Sequence, residues 1–162
     1  MIYRLHYASL MHEFIEPEKG AFRELMHPCM ESQFQRISKD PLEIFTSDED
    51  GGLEFPEFYY NQAVPLFAER IYAILKQEET AHLFVRRVTV TDKLQECSVP
   101  YIMALPPRIA VLDDSGKINE QRVGNCCMFK TEDLADHSIY VTEQLYESLS
   151  AAKPLGMELL HV

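Results

Sequence analysis

Residues 65–75 read PLFAERIYAIL and residues 139–149 read IYVTEQLYESL. Each opens on a few apolar residues suited to a strand, passes a small residue and a Glu, and continues with a Tyr and a Leu at three-residue steps. The match runs without a gap from Val64–Val88 to Ser138–Val162. Glu69 falls on Glu143, Tyr72 on Tyr146, Leu75 on Leu149 and Val88 on Val162. Ile71, Leu83 and Val85 fall on Leu145, Met157 and Leu159. One such segment cannot bury its own apolar face, whereas two can bury theirs against each other. The pattern reads either as a duplicated unit or as two chance uses of a common local design. Duplication predicts an α+β fold, with a mostly antiparallel sheet and two similar strand–helix–strand units, 64–90 and 137–162, within one domain over 1–162.

The rest of the chain reads as short strands and turns. Ile2–His6, PLEIFT (41–46), AHLFVRRVTV (81–90), VPYIMAL (99–105), NCCMF (125–129), HSIYV (137–141) and MELLHV have strand character. RIAVLDDSGKI (108–118) predicts a hairpin around DDSG. Residues 21–38 read as short helical turns interrupted by Pro28, and SDEDGG (47–52) reads as a turn. Ala68–Lys76 is a helix with an apolar stripe, and Thr142 is placed to cap a second one carrying Leu145, Tyr146 and Leu149.

Apolar residues make up 46% of the chain, enough for a real core. The formal net charge of -11 disfavours binding to a phosphate backbone or an anionic membrane, so neither nucleic acid nor membrane is an expected partner. It favours fast encounter with a basic partner. The N-terminal MIYRLHYASL lacks the pattern of a signal peptide, which predicts a cytoplasmic protein. Cys29, Cys97, Cys126 and Cys127 then form no disulfide framework, and Cys126 and Cys127 are expected to pack as small hydrophobes.

Nothing in the sequence spells out a reaction. HPC (27–29) offers two metal ligands without a CxxC or HxxxH partner. SDEDGG lacks the closing Glu of a calcium loop. A thiol enzyme built on Cys126 or Cys127 with His137 remains as the catalytic alternative, and a regulatory adaptor as another. No cofactor, no metal and no enzymatic activity are expected.

The run PLEIFTSDEDGGLEFPEFYYNQAVPLFAERIYAIL resembles the middle of the immunity protein 11 family, with the immunity protein 43 family as a neighbour. Pro56, Glu57 and Phe58 match the family's short Pro-acid-Phe element, and Leu155, Gly156 and Met157 match its step into a terminal strand. The resemblance covers 41–90 and 99–162. Ala68 and Thr142 stand where the family has Ser, and Ala81 and His82 where it has a glycine. It implies a bacterial, cytoplasmic immunity protein that neutralises a cognate polymorphic toxin by steric occlusion. A basic toxin surface would meet acidic and aromatic residues here. The partner-binding candidates are Asp48, Glu49, Asp50, Glu54, Glu57, Tyr59, Tyr60, Asp113 and Asp114. A solvated acidic face and a packed aromatic core are the plain alternatives for these residues.

Overall fold

The computed structural model describes residues 1–8, 14–15, 42–46, 55–60, 65–78, 83–92 and 96–162. In chain order they form strands β1 (Ile2–Tyr7), β2 (Phe14–Ile15), β3 (Leu42–Thr46), β4 (Phe58–Tyr60) and β5 (Pro65–Ala68), then helix α1 (Glu69–Gln77). Next come β6 (Phe84–Asp92), β7 (Cys97–Leu105), β8 (Arg108–Ile109), β9 (Met128–Thr131) and β10 (Ile139–Thr142), then helix α2 (Glu143–Ala152) and β11 (Met157–His161). The fold is α+β and mostly sheet. One sheet runs β11-β1-β10-β9-β8 and the other β2-β3-β6-β7-β5-β4. Pairing is antiparallel except for β3 with β6 and β8 with β9.

The two strand–helix–strand units are built alike down to the register. β5 and β6 flank β7, each antiparallel to it, so β5-α1-β6 is a split β-α-β unit. β10 and β11 flank β1 in the same way. Leu66↔Met103 and Phe67↔Ile102 in the first unit correspond to Tyr140↔Arg4 and Val141↔Tyr3 in the second. Val85↔Ala104 corresponds to Leu159↔Leu5. Beyond β5 and β10, Tyr59↔Leu66 corresponds to Phe129↔Tyr140. The order β6-β7-β5-β4 therefore repeats as β11-β1-β10-β9. The central strand of the first unit follows its helix in the chain, whereas that of the second precedes everything else.

Equivalent side chains share a central core. Phe58 and Met128, Phe67 and Val141, Ile71 and Leu145, Leu75 and Leu149, and Ala104 and Leu5 are all buried in one cluster. Helix spacing explains the two pairs from α1 and α2, because positions four apart lie on one face. Strand alternation sends the neighbouring residues to the opposite sheet faces. There Tyr59, Leu66 and Tyr101 form one outer cluster, and Phe129, Tyr140 and Ile2 form another.

Local departures from the sequence reading have local causes. Thr142 precedes α2 with extended backbone angles, but its side chain makes no capping bond. The 108–118 hairpin shrinks to a single bridge, Leu112↔Ile118, around the Asp113–Gly116 turn. β8 pairs in parallel with β9 instead. The strand expected at 125–129 starts at Met128, after a 3-10 turn at Glu120–Arg122 and Gly124 with φ of 63°. The segment 21–38, the turn 47–52 and the HPC run lie outside the described residues. No helix among the described residues is long and apolar enough to cross a membrane.

Candidate functional site

Helices α1 and α2 run antiparallel, so the start of each meets the end of the other. At one end Arg70 donates to the Ala152 carbonyl (3.2 and 3.3 Å). At the other end Gln144, the counterpart of Arg70, donates to Glu78 (2.6 Å), the counterpart of Ala152. Such reciprocity is what a two-fold relation between units requires. It creates two equivalent crevices.

The first crevice is filled by the chain itself. Arg70 Nε and Nη2 each donate to the Glu57 carboxylate at 2.7 Å. The Leu155 amide donates to the same carboxylate (2.9 Å). The Arg70 hydrogen bond is the main cause that holds the Glu57 carboxyl below its usual range, and the Leu155 amide adds to it. Arg70 is raised by the same contact. Next to this pair, Glu69 accepts from Arg87 at 2.7 Å.

The second crevice is open, a cleft of about 530 Å³. The end of α1, the start of α2, the loop before β9 and the start of β1 frame it. Its lining includes Glu78, Glu120, Cys126, Cys127, Glu143 and Gln144. Ser148 also donates to Glu78 (2.7 Å). The Met1 ammonium group lies 3.1 Å from Glu120 and 3.5 Å from Glu143. Cys127 stands where the first crevice has Glu57: the Ala68 amide donates to the Glu57 carbonyl (2.8 Å), and the Thr142 amide to the Cys127 carbonyl (3.0 Å).

The partner-binding candidates fall in different places. Asp48, Glu49, Asp50 and Glu54 lie outside the described residues. Tyr59 is buried in the outer cluster of its sheet, an interior position where a surface contact was expected. Tyr60 is half-buried, and its hydroxyl donates to the His137 carbonyl. The Glu57 carboxylate is taken up by Arg70 and Leu155. Asp113 organises its own turn, accepting from the Ser115 hydroxyl (2.6 Å) and from the Ser115 and Lys117 amides (2.8 and 3.0 Å). The Ser115 hydroxyl is the largest of the effects that hold its carboxyl low. Asp114 is exposed.

The thiol and imidazole considered together from sequence do not meet. Cys126 and Cys127 line the open crevice, whereas His137 lines a separate cavity with Arg4, His6 and Tyr7. Cys126 donates its thiol to the Met128 carbonyl (3.2 Å), and burial pushes that thiol up, away from the reactive thiolate.

Sequence reading missed two features. Arg70 and Gln144 are aligned in the repeat, so their exchange was visible, but the partners that give it meaning come from far along the chain. Arg108 sends one guanidinium nitrogen to the carbonyls of Thr131 (2.8 Å), Asp133 (2.9 Å) and Asp136 (3.2 Å), fixing the turn after β9. No sequence signal distinguishes such an arginine from a surface one. No protein-family model matches the chain, and no curated protein matches it.

Proposed function

We propose that this chain is a cytoplasmic immunity protein that binds a cognate polymorphic toxin and blocks its working surface without chemistry. The observation that carries the reading is where carboxylates gather on the described surface. Glu78, Glu120 and Glu143 line one open cleft in a chain of net charge -11. An acidic concavity of this kind suits a basic toxin surface and speeds encounter with it. The resemblance over 41–90 and 99–162 supplies the biological setting.

Co-expression tests it. The C-terminal domain encoded by the neighbouring upstream gene is expressed alone and together with this protein, and growth and co-purification are followed. The expected outcome is growth arrest relieved by this protein, with a stable complex on a sizing column. Unrelieved arrest without a complex would reject the immunity reading.

A further inference from the structure

We infer that the open crevice between the end of α1 and the start of α2 is a receptor for a guanidinium-bearing side chain supplied by another molecule. Its chemistry is legible because the same chain contains the crevice twice. In the first copy the occupant is Arg70. Its guanidinium fills the space between the Glu57 carboxylate and the Ala152 carbonyl at the end of α2. Such a planar fork matches a carboxylate bidentately, and a cation is favoured at a helix C-terminus.

In the second copy both of the neutralising arginines are gone. Gln144 replaces Arg70, and His161 takes the place of Arg87 in the strand register. The acidic side is rearranged: Cys127 stands in place of Glu57, and the carboxylates come from other positions. Glu143 is the counterpart of Glu69, Glu78 stands at the end of α1 where α2 has Ala152, and Glu120 joins them from the loop. Gln144 and Ser148 donate to Glu78 and hold its carboxylate in place. Glu120 and Glu143 converge on one point, lying 3.1 and 3.5 Å from the same Met1 nitrogen in exposed pairs. At about 530 Å³ the cleft has room for an entire arginine side chain.

The identification of the donor as the toxin rests on the reading above, whereas the chemistry of the cleft does not. Two probes separate them. L-argininamide and its uncharged analogue L-citrullinamide are titrated into the full chain while backbone amide resonances are followed. Saturable shifts at Gly124, Cys127 and Gln144 are expected with argininamide and not with citrullinamide. Glu78→Gln with Glu143→Gln should weaken that binding by about tenfold or more, since charge-assisted bonds are lost. Arg70→Gln should vacate the first crevice and add a second set of shifts around Leu155. Equal response to both probes, or shifts indifferent to the double variant, would overturn the receptor.

The toxin domain is the second arm. Loss of toxin affinity in the double variant assigns the donor. Undiminished affinity removes the toxin as donor, and absence of any wild-type complex rejects the immunity reading. Neither result alters the outcome of the argininamide titration.

Discussion

Lys130 Nζ lies 5.5 Å from the centroid of the Tyr60 ring, and the two residues hold the same place in the two units. Each follows by one residue a matched position, Tyr59 and Phe129, in strands that pair with β5 and β10. A residue that touches its own counterpart marks the axis relating the units. Lys130 is only 2% exposed there, so its aliphatic stem serves as core while its ammonium meets the ring face. Lys130→Ala should lose about 2 kcal/mol or more, because it removes buried stem as well as charge. Lys130→Met keeps the stem and should lose less. Urea unfolding of both variants measures the difference, and equal losses would show that packing of the stem is unimportant.

Glu57 ties β4 to α1 and to the turn before β11. Glu57→Gln should cost about 2 kcal/mol near neutral pH, in line with loss of charge-assisted bonds to Arg70. The folded-state pKa of Glu57 is depressed, chiefly by Arg70. Its contribution is thus fully present above the ordinary glutamate value and is lost as pH falls through the lowered one. The gap between wild type and variant should close on acidification. A gap that widens in acid, seen in unfolding midpoints, would contradict the assignment.

Gly156 has φ of 84°, and a Cβ placed there would lie 3.0 Å from Pro56 Cβ and 3.2 Å from the Phe58 carbonyl oxygen. Both the backbone conformation and the close approach of β4 demand glycine. Gly156→Ala should destabilise by about 1–3 kcal/mol. Gly116→Ala shares the positive φ, but its Cβ would meet nothing within 4 Å. Thermal melting should rank Gly156→Ala well below Gly116→Ala.

Local periodicity made the strand–helix–strand units legible. Ile71 with Leu75 and Leu145 with Leu149 announce helix faces, and an unbroken alignment announces equivalence. What completes each unit carries no local signal. β1 joins its unit from the far end of the chain, and strands as short as β4 hold too few residues to show alternation. The aromatic run 58–60 was legible as a cluster but not as faces: Phe58 enters the central core and Tyr59 the outer one. Asp113 read as an acidic surface residue because its hydrogen bonds to Ser115 and Lys117 exist only once the turn has closed. The open crevice was the least legible feature, since Glu78, Glu120 and Glu143 converge only through the packing of α1 on α2.

The shared register makes a prediction about connectivity. β11 and β1 pair antiparallel, with Tyr3↔His161 and a Val162 amide bond to the Ile2 carbonyl (3.1 Å). They occupy the place that the β6–β7 hairpin, ending at Asp92↔Cys97, holds in the other unit. Joining residue 162 to residue 1 through Asn-Gly should therefore build a second such hairpin, because that dipeptide suits a tight turn. Opening the chain between Asp92 and Cys97 then exchanges the roles of the two units. The permuted chain should fold to the same pattern of amide resonances and unfold cooperatively, with stability within about 2 kcal/mol of the original, since closing a short loop at one site offsets opening one at the other. The Met1 ammonium contacts with Glu120 and Glu143 disappear in this chain, but exposed pairs of that kind contribute little. A permutant that remains molten or aggregated, with linkers of several lengths, would mean that the units are alike in pairing but not interchangeable in folding.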